Sequence, residues 1–142
     1  MDIFIDTSAL MKRYISEIGS DIIDNLFTKC DTIYVSIITE IEAFSTIRRL
    51  LYDKQIGKHE FLHLHNEIET DLQYFTIIDI NESVIKLSKD LIMHHSLRTL
   101  DSIQLSSALL IKDTIDYFVC SDNRLITAAQ NEKMKILNPL KN

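Results

Sequence analysis

Four acids have the types and positions to do chemistry together: Asp6, Glu42, Asp101 and Asp122. Asp6 ends the apolar run Ile3-Phe4-Ile5, and Asp122 follows the apolar run from Tyr117 to Cys120. Glu42 lies near the first turn of a long helical stretch, and Asp101 opens another. At an effective dielectric of ~20, two carboxylates ~5 Å apart repel by about 3 kcal/mol. Four in one place would therefore take up protons or hold a cation. All-oxygen donors suit Mg2+ or Mn2+ better than zinc or copper. Each acid also has a plainer reading, because Asp and Glu are favoured at helix starts, where they cap free amides and complement the helix dipole. Thr39-x-x-Glu42 has the spacing of a capping box, and Asp6 and Asp122 could be ordinary N-caps.

The elements that must position these acids follow from hydrophobic periodicity. A strand is expected at 3–5, helices at 9–15 and 21–27, and a strand at 32–35 ended by Ser36. A long helix at 39–55 would carry Ile41, Phe44, Ile47, Leu50 and Leu51 on its apolar side. Gly57 breaks it, and 58–73 resumes with Phe61, Leu64, Ile68 and Leu72 at helical spacing. A buried-type strand is expected at 74–80, a helix from Asn81 to about Ser96, and a helix at 100–112 capped by Thr99. A strand at 117–120, a helix at 122–131 and a strand at 134–137, stopped by Pro139, follow. Strands alternating with helices predict an α/β fold: one three-layer domain over 1–142, its mostly parallel central sheet of about five strands flanked by helices. In open α/β sheets ligands bind outside the carboxyl ends of the strands. Asp6, Glu42 and Asp122 fall at that edge, and Asp101 could join them from a neighbouring helix.

With 142 residues, 46% hydrophobic, and only two Gly and one Pro, the chain can bury a core as a single domain. No window approaches the ~20 apolar residues of a membrane span, and no basic stretch precedes an apolar segment at the start, as a signal peptide would require. A cytoplasmic protein is the expectation. Cys30 and Cys120 then read as buried free thiols, too few for a Cys-based zinc site. The net charge of −6 is unusual for a nucleic-acid binder. Its basic residues do cluster, at Arg48, Arg49, Lys54 and Lys58 and at Lys12 and Arg13, although such clusters usually form a solvated face.

A different chemistry is offered by His59-Glu60-Phe61-Leu62-His63, which fits H-E-x-x-H, where two histidines on one helix face bind zinc and the Glu acts as base. No Gly and third His follow at the metzincin spacing. Exposed histidines on an amphipathic helix are the simpler reading. His65, His94 and His95 have no chelating spacing.

In order along the chain, four blocks carry a resemblance. They are Ile3-Phe-Ile-Asp6-Thr-Ser-Ala-Leu; Val35-Ser-Ile-Ile-Thr-Glu-Ile-Glu42-Ala-Phe-Ser; Leu97-Arg-Thr-Leu-Asp101-Ser-Ile-Gln-Leu-Ser-Ser-Ala-Leu; and Phe118-Val-Cys-Ser-Asp122-Asn-Arg-Leu with Ala128-Ala129 and Asn138-Pro139. Over almost its whole length the chain resembles PIN-domain ribonucleases, in particular the VapC-type toxins of prokaryotic toxin–antitoxin pairs. That resemblance implies an endoribonuclease in which Asp6, Glu42, Asp101 and Asp122 bind one or two Mg2+ or Mn2+ ions, some through water. It also implies supporting hydroxyls at Ser8 and Ser121, which could equally be helix caps. The implied partners are an RNA substrate, a cognate antitoxin and a second copy in a homodimer, with no membrane. Arg48, Arg49 or Arg98 could steer the phosphate backbone. Glu40 and Glu42 both fall in the second block, but residues two apart do not share a helix face. In the register that the resemblance implies, spacing from Ser36 and the Arg48-Arg49 that follows favour Glu42 and leave Glu40 to solvent.

Two further readings compete. A response-regulator receiver domain is also α/β, of similar length, with an acidic Mg2+ pocket. It carries paired acids after its first strand and a lysine after a late one, whereas this chain has one acid after Ile5 and no Lys directly after Cys120. A PIN-like domain that binds without cutting is the other, against which stands the presence of all four acids.

Overall fold

The computed structural model describes residues 1–141. Five parallel strands, β1 (Asp2–Ile5), β2 (Thr32–Ser36), β3 (Thr76–Ile78), β4 (Tyr117–Val119) and β5 (Ile136–Leu137), form one sheet in the order β3-β2-β1-β4-β5. The helices are α1 (Thr7–Leu10), α2 (Ser20–Lys29), α3 (Ile38–Tyr52), α4 (Lys58–Leu72), α5 (Glu82–His95), α6 (Thr99–Leu110) and α7 (Asn123–Asn131). The expected three-layer α/β architecture is present.

β1 shows why there are three layers. Successive side chains of a strand point to opposite faces, and here both faces are apolar. Ile3 and Ile5 join a core with Leu10, Ile23, Val35, Ile47, Leu64 and Ile68, from α1 to α4. Phe4 joins a second core with Leu91, Leu105, Phe118 and Leu125, from α5, α6, β4 and α7. Phe4 and Phe118 pack with ring centroids 5.8 Å apart. Each such side chain, fully buried, contributes about 1.5–3 kcal/mol. A strand clothed on both sides reads as a continuous apolar run, which is how β1 and β4 read.

The differences from expectation have local causes. The first helix is a single turn, α1, continued as a 3₁₀ turn over Met11–Arg13. The long helix α3 ends at Tyr52, because Lys54 takes the left-handed conformation (φ 57°). Gly57 is the extended residue before α4 and does not itself break α3. The buried strand expected at 74–80 shrinks to three residues at the sheet edge, with Tyr74, Ile77 and Ile80 exposed. The expected apolar side of α3 is also displaced: Ile41 and Phe44 are exposed, and Ile38, Thr39, Ala43 and Ile47 are buried. Thr99 is the first residue of α6 and not its cap; Arg98 precedes it without a side-chain capping bond. Cys30 is half-buried, Cys120 is buried, and both are free thiols.

Candidate active site

The strand order reverses direction between β1 and β4, the switch point at which open α/β sheets form their ligand crevice. Asp6 stands directly after β1, and Asp122 two residues beyond Tyr117–Val119 and Cys120. Each is the N-cap of a helix: Asp6 Oδ1 accepts from the Ala9 amide at 3.0 Å, and Asp122 Oδ1 from the Leu125 amide at 2.9 Å. The capping reading therefore holds for both, and it does not exclude the site reading, because the cap bond engages only one carboxylate oxygen of each. Ser8 Oγ links the two sides. It donates to Asp6, with Oδ2 at 2.8 Å and Oδ1 at 3.0 Å, and lies 3.1 Å from Ser121 Oγ.

Asp6 is buried, and its surroundings are poor in charge compensation. Burial pushes its carboxyl up to about 6, against the hydrogen bonds from Ala9, Ser8 and the Cys120 thiol, and Asp122 pushes the same way. The Cys120 Sγ–Asp6 Oδ2 distance is 3.4 Å, and burial followed by the Asp6 charge holds that thiol far above its ordinary range.

Asp101, in the first turn of α6, is half-buried. Burial and then the Asp122 carboxylate push it up, against Arg98 and Arg124. Its Oδ2 lies 3.5 Å from Arg98 Nε, an ion-pair contact too long or poorly aligned to satisfy the oxygen, which is buried without a hydrogen-bond partner. Glu42 lines one open cleft with Asp101, Arg98, Thr99 and Leu100. Its Oε1 accepts from Thr7 Oγ1 at 2.9 Å and Gln104 Nε2 at 2.8 Å. Glu40 is exposed, on the other side of α3. The expected capping box is not formed: Thr39 is buried inside α3, whose N-cap is Ile37.

As the side chains stand, no group of three or more His, Cys, Asp or Glu among the described residues converges closely enough to hold an ion directly. The donors nevertheless suit a hard divalent cation. They are oxygens, one is an orphaned carboxylate oxygen, and Asp6 is held in burial without a cationic partner. Mg2+ in particular keeps several waters and takes only one or two protein carboxylates.

Elsewhere the expected chemistry does not assemble. His59, Glu60 and His63 are exposed on α4, and His63 lies 3.8 Å from Glu67 one turn on. Lys12 is buried against Glu17 at 3.0 Å, and Arg13 pairs with Asp71 at 2.8 Å and Asp24 at 3.7 Å, so this basic pair ties the fold together and is not a solvated face. Arg48 and Arg49 are exposed on α3. Receiver-type sheets follow the order 2-1-3-4-5; the order here differs and removes that reading. Gln104, Thr7 and Thr39 were not among the expected site residues. The signal for Gln104 was its place three residues after Asp101, on the same helix face.

Fold and crevice together define a doubly covered parallel α/β domain with an acidic pocket at its switch point. More particularly, the chain belongs to the PIN domain family, whose pattern matches residues 3–130. Solved structures of low identity share the fold. The toxin–antitoxin complex from Klebsiella pneumoniae is 17% identical with a TM-score of 0.70, over 96% of this chain and 97% of that one. FitAcB from Neisseria gonorrhoeae is 18% identical with a TM-score of 0.75, over 96% and 97%. The sarcin-ricin-loop-cleaving toxin VapC20 from Mycobacterium tuberculosis is 14% identical with a TM-score of 0.66, over 89% and 94%. No curated protein matches the sequence.

Proposed function

We propose that the chain is a metal-dependent endoribonuclease, the toxin of a toxin–antitoxin pair, with Asp6, Glu42, Asp101 and Asp122 as its site. The observation that carries this reading is the arrangement of the acids. Asp6 and Asp122 flank the switch point, the Asp122 charge acts on both Asp6 and Asp101, and Asp101 shares a cleft with Glu42. PIN family membership and structural neighbours that include toxin–antitoxin complexes support it.

In this reading the four carboxylates hold Mg2+ or Mn2+, with Ser8 and Ser121 orienting Asp6 and the water around it. A bound divalent ion supplies an activated water and offsets charge on the phosphoryl oxygens. Asp6 and Asp101 contribute negative charge that the fold alone leaves under-compensated, Glu42 a carboxylate fixed on one oxygen, and Asp122 a charge between them. Arg98 and Arg124, whose charges act on Asp101, would steer substrate phosphates in this reading. A cognate antitoxin whose basic side chain enters the acidic cleft, and a homodimer, complete the proposal. Among the described residues no helix is long and apolar enough to cross a membrane, and the proposed setting is the cytoplasm.

The test is cleavage of a pool of single-stranded and structured RNA by the purified chain with Mg2+, Mn2+ or EDTA, beside an identically prepared Asp101→Asn variant. Metal-dependent cutting that the variant loses is the expected result. No cutting with any metal, or equal cutting by the variant, overturns the nuclease and leaves a binding module.

A further inference from the structure

Glu42 is gripped from one side by uncharged donors. Gln104, 2% exposed on α6, places its amide Nε2 2.8 Å from Glu42 Oε1, 3.0 Å from Thr7 Oγ1 and 3.1 Å from Thr39 Oγ1. Thr7 Oγ1 donates to the same Glu42 oxygen at 2.9 Å and lies 3.3 Å from Thr39 Oγ1. Thr7 and Thr39 are themselves buried. Both bonds to the carboxylate fall on Oε1, which leaves Oε2 without a protein donor among the described residues.

Gln104 makes these contacts at a cost. Its own carbonyl oxygen, Oε1, is buried without a partner. Buried amides normally satisfy both ends, because an orphaned carbonyl loses its water and gains nothing in return. Reversing the amide would set that carbonyl against the Glu42 carboxylate, so the acid dictates its orientation. As core filler Gln104 is inferior to Met or Leu, whereas as a donor aimed at one carboxylate oxygen it is well made.

We infer that Gln104, with Thr7 and Thr39, is a positioning residue that fixes Glu42 as a ligand for the divalent cation. The inference rests on the metal-dependent reading above. A Lys or Arg in this place would orient the acid equally well, but it would neutralise the charge that attracts the ion. The Gln104 amide and the Thr7 hydroxyl, both backed by Thr39, orient Glu42 and leave its charge available. Groups that hold a ligand in this way govern metal affinity by about 10–100-fold while touching no metal.

The experiment measures Mn2+ affinity by electron paramagnetic resonance together with the Tm of the metal-free protein. Gln104→Met is expected to bind Mn2+ at least about tenfold more weakly, with Tm close to that of the natural chain because removal of the orphaned carbonyl offsets the lost amide donors. Gln104→His, which can present an N–H, should recover part of the affinity. Thr39→Val, which removes one hydroxyl and keeps Gln104, should weaken binding several-fold. Combined with Glu42→Gln, Gln104→Met should add no further loss. Unchanged affinity in Gln104→Met, a Tm that falls along with affinity, or additive losses in the double variant would overturn the inference and leave the nuclease reading standing. A natural chain whose Mn2+ binding Glu42→Gln does not weaken overturns both.

Discussion

The two sides of the crevice treat their carboxylates in opposite ways. On the β1/β4 side, Asp6 is buried among an amide, a hydroxyl and a thiol, with a second acid nearby, and its proton is held up to about 6. On the α3/α6 side, Glu42 is only half-buried, and two neutral donors take one of its oxygens and leave the other open. The first side stores unfavourable charge, which the proposed cation would relieve, and the second stores geometry. A binding site needs both, because charge without orientation attracts ions loosely and orientation without charge attracts none.

Breaking the charged side should have the largest effect. Asp6→Asn keeps a side-chain oxygen to cap Ala9, since Asn is as good an N-cap as Asp, yet removes the charge. RNA cleavage should fall by on the order of 10²-fold or more, the scale on which charge-stabilising groups act; cutting at the natural rate would disqualify Asp6. The same variant tests stability. Between about pH 4 and pH 6, folded Asp6 keeps a proton that the unfolded chain, at its ordinary 3.8, has released. Stability of the metal-free protein should therefore fall as pH rises through that window, by about 3 kcal/mol. Asp6→Asn should lack this fall in a series of thermal melts from pH 4 to pH 7, and a matching slope would show that another group is responsible.

Smaller effects sharpen the contrast. Thr7→Val takes one donor from Glu42 and leaves a buried oxygen less satisfied, costing about 1 kcal/mol in denaturant unfolding. Ser121→Ala breaks only the contact to Ser8 and should lower cleavage a few-fold without moving the unfolding midpoint. Glu40→Gln, on the exposed side of α3, should change neither cleavage nor stability; a loss there would mean that the register of the second acid is wrong.

The parts of this fold legible in the sequence were those governed by periodicity. β1 and β4 read as central strands because both their faces are apolar, and Glu40 and Glu42 fall on different faces because helix faces repeat every three or four residues, the family register then choosing between them. Apolar composition misled where burial depends on neighbours: Tyr74 to Ile80 looks like a buried strand, but as β3 it lies at the sheet edge and leaves Ile77 exposed. Ile41 and Phe44 likewise sit on a flank of α3 that nothing in the fold covers completely. Thr7, Thr39 and Gln104 escaped notice for the opposite reason. A hydroxyl or amide inside a helix is uninformative until three distant segments bring such groups within 3.3 Å of one another and of an acid. Arg13 resembled part of a solvated basic patch because its partners Asp24 and Asp71 lie on other elements, and Lys12 because a chain turn, not helical spacing, brings Glu17 to it.

The pairing of β1 with β4 also sets a schedule. The Asp2 amide bonds the Asp116 carboxylate across 114 residues of chain, and Asp122 lies further on still. At roughly 5–20 residues per second of synthesis, on the order of 6–23 s separate the emergence of the two strands from a ribosome. Throughout that interval a nascent chain carries Asp6 and Glu42 with no β4 beside them and no Asp122 across the crevice. The centre proposed above would thus stay unfinished until β4 and Asp122 had been synthesised.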